Sequence, residues 1–199
     1  MILRSSPASP FGRKVKLAAA ILGLSDRIEV VPADTNDPAD DLRSQNPLGK
    51  IPILITDAGE PIYDSRVIVE YLDDLAGGGR LIPAGEARVR VLRLQALADG
   101  IMDAAIIQIY ETRWRAEDRR EPKWVAYQAE KVSRALAVLE AEADALGDRL
   151  DAGTITVACM LGYLDFRFAG AWRAGHPKLV AWLDAFAARV PAFDESRPS

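Results

Sequence analysis

The sequence predicts a small α/β domain over residues 1–77 followed by an all-α domain over residues 84–199. Three observations carry that division. Short apolar runs of strand length alternate with helical periodicity before residue 77, and no convincing strand occurs beyond Glu86. The run Gly77-Gly78-Gly79 breaks the chain between the two parts. Charge divides there too: residues 1–77 hold 8 Lys or Arg against 12 Asp or Glu, whereas residues 78–199 hold 17 of each.

In the first part, Met1–Leu3 is a short apolar strand. A turn from Ser5 to Lys14 passes into a helix, with Ser9 and Pro10 where that helix begins. Val15, Leu17, Ala18, Ile21 and Leu22 carry it to Gly23. Glu29–Val31 is a second strand, and a short polar helix follows near Asp40–Gln45. Ile53–Thr56 and Pro61–Tyr63 form a hairpin around Asp57-Ala58-Gly59-Glu60. Val67, Ile68, Tyr71, Leu72 and Leu75 then mark a helix from Ser65 to Ala76. The order βαβ then ββα specifies a mixed sheet with helices on its faces.

In the second part, Val91, Leu94, Leu97, Ile101, Ala105 and Ile109 draw one face of a long helix continuing through Trp114. Val125, Val132, Leu136, Leu139, Ala143 and Leu146 draw a second, ending at Gly147. The block from Gly153 to Phe168 is apolar all round, as expected of a buried central helix. A fourth helix runs from Pro177 to Arg189.

Composition narrows the function. The net charge of −4 and the lack of a basic stripe argue against nucleic acid as the main partner. One cysteine, Cys159, permits neither an internal disulfide nor dithiol exchange, and with no basic neighbour in sequence it reads as a small buried hydrophobe. Met1-Ile2-Leu3-Arg4 is too short for a signal segment, and no apolar run approaches the ~18 residues of a membrane span, so a cytoplasmic protein is expected. No cluster of His, Cys or carboxylates suggests a metal. His176, the only histidine, precedes a proline at a helix start and is a poor candidate for a catalytic base.

Three places carry groups suited to a ligand, each with an ordinary structural alternative. Ser9 sets a hydroxyl beside a positive helix end, which suits a thiolate, and equally suits a plain N-cap. Pro52 cannot donate to a sheet ladder; it either starts a strand or, with a cis Ile51–Pro52 bond, turns the Ile51 backbone toward a ligand. Asp64-Ser65 precedes a helix and is either a cap or a carboxylate-binding end.

Taken together, Ser9-Pro10-Phe11-x-Arg13-Lys14-Val15, Asn46-Pro47-x-Gly49-x-Ile51-Pro52-x-Leu54 and Asp64-Ser65-x-x-Ile68-x-x-Tyr71-Leu72 resemble the cytosolic glutathione S-transferases, of a bacterial, serine-type kind. Ala96 to Asp103 and His176-Pro177-Lys178-Leu179-x-x-Trp182 resemble that family's helical half. The resemblance implies a thioredoxin-like first domain that binds glutathione, and a helical second domain that contributes an electrophile pocket. It implies that Ser9 hydrogen-bonds the glutathione sulfur, that Ile51 pairs with the cysteinyl unit across cis Pro52, and that Asp64 and Ser65 hold the γ-glutamyl end. Phe11 and Lys50 complete the expected glutathione contacts. Glutathione is then a cosubstrate, with no permanently bound cofactor, and the protein a homodimer acting on a small hydrophobic electrophile. A glutathione-dependent peroxidase or isomerase, and a non-catalytic regulator that binds glutathione or another protein, are the alternatives.

A free thiol of pKa about 8.5 is only about 3% thiolate at pH 7, and one charge-assisted hydrogen bond from Ser9 lowers that pKa by about one to two units. Ser5 and Ser6 are rival donors. Phe11, Tyr110 and Trp114 are the expected walls of the electrophile pocket, with Trp172 a further candidate. Asp99 and Asp103, four apart on one helix, repel unless a cation lies between them; the resemblance allows either to meet the glutathione amino group. The family's hydroxyl-x-x-Asp capping box at the central helix is expected at Thr156-Val157-Ala158-Cys159, with Cys159 standing where Asp belongs, at a cost of about 1 kcal/mol.

Overall fold

A computed structural model describes residues 1–198; Ser199, the end of the second expected domain, lies outside them. Four strands form one sheet: β1 (Ile2–Ser5), β2 (Glu29–Pro32), β3 (Ile53–Ile55) and β4 (Pro61–Ile62), in the order β2-β1-β3-β4. Strands β1 and β2 are parallel, joined by the crossover helix α1 (Pro10–Leu22), while β3 runs antiparallel to both β1 and β4. Leu3 of β1 and Leu54 of β3 face α1 and α3 (Ser65–Leu75), burying Val15, Leu17, Ile68 and Leu72. On the opposite face Ile53 packs with Ala33 and with Leu42 of the short helix α2 (Leu42–Gln45).

The helical half comprises α4 (Gly85–Trp114), α5 (Pro122–Ala141), α6 (Ala152–Phe168), α7 (Pro177–Arg189) and α8 (Pro191–Glu195). Helix α6 is buried without interruption from Ala152 to Leu164, as its all-round hydrophobicity predicts. It packs on both α4 and α1, so it is the wall shared by the two halves. Glycines permit this closeness. A Cβ on Gly153 would stand 3.0 Å from the Val91 carbonyl of α4, and one on Gly162 would stand 2.3 Å from Nη1 of Arg13 in α1. The glycine-rich connection is pinned, not slack: the buried Asp73 carboxylate accepts the amides of Gly79, Arg80, Leu81 and Ile82 at 2.8–3.1 Å. Four donors on one carboxylate satisfy backbone groups that would otherwise be buried without partners.

Two expectations are corrected and one helix is added. The second long helix ends at Ala141, not Gly147; a tight turn at Ala143–Ala145 carries Ala143 and Leu146 into the core instead. The cap of α6 lies five residues earlier than expected. Asp151 is the N-cap, its carboxylate accepting the Thr154 amide at 2.9 Å while the Thr154 hydroxyl accepts the Asp151 amide at 3.0 Å. The box is therefore complete with its two roles exchanged, carboxylate first and hydroxyl third, and no cap energy is lost. Thr156 is already inside the helix, donating back to the Ala152 carbonyl at 2.6 Å. Finally, α8 was not anticipated: Pro191 restarts a single turn that buries Phe193 against the core.

Candidate active site

The start of α1 follows from its sequence. Ser9 is extended and caps the helix, its Oγ accepting the Gly12 amide at 3.1 Å, and Pro10 fixes the first helical residue. Because Oγ accepts from the helix, its own proton remains available to donate outward. Gly12 is required here: a Cβ would fall 1.9 Å from Oγ of Ser5. That contact buries Ser5 against α1, whereas Ser6 borders the same cavity as Ser9. Of the two rival hydroxyls, only Ser6 faces the site.

The Ile51–Pro52 bond is cis, as is Tyr63–Asp64. The strand ladder begins only at Ile53, so the Ile51 backbone lies at its mouth. Asn46 holds this loop from inside. Its side chain accepts the Leu48 amide at 3.0 Å and donates to the Lys50 carbonyl at 2.9 Å, and Gly49 takes the left-handed conformation (φ 60°) that the turn demands. Lys50 and Ile51 border the cavity; Pro52 is buried behind them. At the start of α3 the cap is Asp64, which accepts the Arg66 amide at 2.8 Å and the Ser65 hydroxyl at 3.2 Å. Asp64 and Ser65 sit beside the cavity, not in its wall.

The cavity, about 510 Å³, lies where α1 meets α4 and α6. Ser9, Phe11, Lys50 and Ile51 form its sheet side; Ile106, Tyr110 and Tyr163 form its helical side. Two of the expected wall residues are elsewhere. Trp114 is 63% exposed at the end of α4, where the turn that carries Tyr110 into the cavity presents Arg113 instead. Trp172 is buried, its indole N–H bonded to Asp165 at 2.8 Å. Arg113, Tyr163 and Arg167 were missed, because arginine on a helix reads as solvated surface.

Beneath the site lies a buried charge cluster. Lys14 of α1 and Asp99 of α4 are wholly buried and paired at 2.7 Å, and Arg66 of α3 reaches the other oxygen of Asp99 at 2.8 Å. The hydrogen bond that Arg66 donates to Asp99 raises the Arg66 pKa. Asp99 is thus occupied by two cations, and Asp103 is the acid left facing the cavity. Burial pushes the Asp103 pKa up, with repulsion from Asp99 adding to it and Arg66 and Lys50 opposing it. Among the described residues no group of three His, Cys, Asp or Glu converges as a metal site, and no helix is long and apolar enough to cross a membrane.

Residues 8–75 match the family model of the glutathione S-transferase N-terminal domain, and residues 107–185 match that of the C-terminal domain. An uncharacterised transferase-like protein of Escherichia coli K12, YibF, is 34% identical over 90% of both chains. A glutathione transferase family member of Pseudomonas fluorescens Pf-5, solved with bound glutathione, is 44% identical, covers 100% of this chain and 98% of its own, and superposes with a TM-score of 0.93. A second structure, from the same organism with bound S-(propanoic acid)-glutathione, is also 44% identical, covers all of both chains and has a TM-score of 0.90. The chain belongs to the glutathione S-transferase family.

Proposed function

We propose that the protein is a serine-type glutathione transferase. Residues 1–77 bind glutathione, residues 84–199 complete the pocket for a small hydrophobic electrophile, and the protein works as a homodimer. The observation that carries this reading is the Ser9 hydroxyl at the N-terminus of α1, bordering a cavity with the Ile51 backbone on one side and an apolar and aromatic wall on the other. Ser9 donates to the glutathione sulfur and, with the helix end, stabilises the thiolate. The Ile51 backbone holds the cysteinyl unit, with Phe11 and Lys50 beside it, and Asp64 and Ser65, with the amides of α3, hold the γ-glutamyl end. Asp103 is the acid within reach of the glutathione amino group. The Pseudomonas fluorescens relative accommodates a substituent on the glutathione sulfur; the cavity beside Ser9 is the place for one here.

Calorimetric titration with glutathione, followed by turnover of an aryl halide, an organic peroxide and a glutathione disulfide, tests the reading. Binding together with aryl halide turnover supports it. Peroxide turnover alone points to a peroxidase, and binding with silence on all three substrates to a non-catalytic member.

A further inference from the structure

We propose that Arg113 and Arg167 form an anion-recognising end of the cavity, so that the electrophiles it takes carry a carboxylate on an apolar body. The proposal rests on the reading of the cavity as the electrophile pocket. Both arginines border it, Arg113 from the last turn of α4 and Arg167 from the last turn of α6. Neither has a carboxylate within ion-pair distance among the described residues, although most arginines of this chain do, including the neighbouring Arg115 with Glu111 and Arg173 with Asp165.

What holds the pair in place is aromatic. Arg113 lies 5.7 Å from the Tyr110 ring centre, and Arg167 lies 4.3 Å from that of Phe166 and 6.0 Å from that of Tyr163. Ring faces orient a guanidinium without using its N–H donors. Nε of Arg167 is shut off from solvent, and none of the hydrogen bonds among the described residues uses the Arg167 guanidinium, so its terminal N–H groups are the ones left to meet an acceptor. Tyr163 adds an O–H donor to the same cavity; burial pushes its pKa up, with Arg167 opposing the rise, so it keeps its proton.

The acids that border the cavity do not neutralise this end. Asp103 lies ten residues before Arg113 on the same helix, about 15 Å along its axis, and faces Lys50 and Arg66. Asp34 forms no ion pair with either arginine among the described residues, its Oδ1 accepting the amide and the side-chain N–H of Asn36. The cavity thus runs from Ser9, past the apolar surfaces of Phe11 and Ile106, to a doubly cationic end. A planar carboxylate matches the arginine fork, whereas a neutral group of equal size leaves it unmet.

The test compares charged and neutral ligands of equal shape. Affinities are measured for S-(2-carboxyethyl)glutathione and S-(4-carboxybenzyl)glutathione, each against its carboxamide, so that reach is varied along with charge. At least one acid is expected to bind about ten- to a hundredfold more tightly than its amide. That ratio is expected to fall about tenfold in Arg113→Gln or Arg167→Gln, and less in the Arg→Lys variants. Turnover gives a second readout with 4-chloro-3-nitrobenzoate against 4-chloro-3-nitrobenzamide. There the thiolate sulfur bonds to the chlorine-bearing carbon, and chloride leaves with the C–Cl electron pair, the thiol proton having passed to water. Acid-to-amide ratios near one in the wild-type protein overturn the arginine proposal while leaving the pocket reading intact. Binding of glutathione but of none of the four S-substituted forms overturns both, and failure to bind glutathione removes the glutathione reading itself.

Discussion

Lys14 and Asp99 offer the sharpest test of how the two halves are joined. Both side chains are fully buried, 2.7 Å apart, on helices separated by 85 positions in sequence. Lys14→Met keeps most of the stem's packing and strands a buried carboxylate with Arg66 as its remaining cation among the described residues. Breaking a buried pair typically costs about 3–5 kcal/mol. Because Arg66 remains at 2.8 Å, the lower end, about 3 kcal/mol, is expected. With an unfolding entropy of about 2.1 cal/mol/K per residue over 199 residues, that lowers the melting temperature by about 7 °C. Asp99→Asn leaves the Lys14 ammonium buried without its counter-charge, at a similar cost.

The double variant Lys14→Met/Asp99→Asn separates pairing from packing. Neither charge is then left unpaired, so its loss should resemble one single variant and fall about 2–3 kcal/mol short of the two combined. Urea unfolding followed by circular dichroism, with calorimetry for the melting temperature, measures all four proteins. Single variants each costing under about 1 kcal/mol, or costs that simply add, would refute the reasoning. Either result would mean that water or another group already serves these charges.

Four further outcomes are expected. Ser9→Ala should raise the thiol pKa of bound glutathione by about one to two units, read from thiolate absorbance against pH, and lose about 1 kcal/mol of stability with the cap on the Gly12 amide; an unmoved titration midpoint would shift attention to Ser6. Ser65→Ala should weaken glutathione binding about ten- to a hundredfold in calorimetry with little change in melting temperature, because Asp64 and not Ser65 caps α3. Cys159, its thiol pushed up to about 12 by burial, should resist an aromatic disulfide reagent at pH 8 until the protein is unfolded. As its folded pKa exceeds the ordinary 9, its contribution to stability is intact below pH 9 and declines toward pH 12, where Cys159→Ala should flatten the fall. Asp103 has its pKa raised by burial, so it favours the folded state most when protonated; Asp103→Asn should stabilise the unliganded protein by less than about 1 kcal/mol at pH 7, an advantage that fades as pH falls through the raised folded-state value and is gone below the ordinary 3.8, while weakening glutathione but not its desamino analogue.

The α/β half was legible because its strands are short apolar runs set off by turn residues, and the helical half because its faces repeat at helical spacing. The groups around Ser9, Ile51 and Ser65 stood out because proline before a strand and hydroxyls before helices have few uses. What escaped was whatever depends on distant partners. Lys14, Arg66 and Asp99 each look like solvated charge in sequence; only the packing of α1, α3 and α4 joins them into one cluster, with Lys14 and Asp99 buried and Arg66 half-exposed at its edge. Asp73 escaped for the same reason, since its four amide donors come from the following loop and not from its own helix. The cap of α6 was misplaced because a hydroxyl and an acid can exchange the two positions of the box without changing the count of bonds.

That cluster bears directly on the site. Lys14 lies in the second turn of the helix whose first residue follows Ser9, and Arg66 is the second residue of the helix capped by Asp64. Asp99 therefore ties together, from the helical half, the two helix ends on which the glutathione reading depends. Asp103, one turn further along α4, is the acid that borders the cavity, with Tyr110 and Arg113 in the turns beyond. One face of α4 thus runs from the structural tie through the proposed amino-group contact to the proposed electrophile wall. A loosened Lys14–Asp99 pair should accordingly be felt first as weaker glutathione binding at temperatures well below melting, because tilting α1 or α3 against α4 misaligns the hydroxyls and amides before it exposes any core.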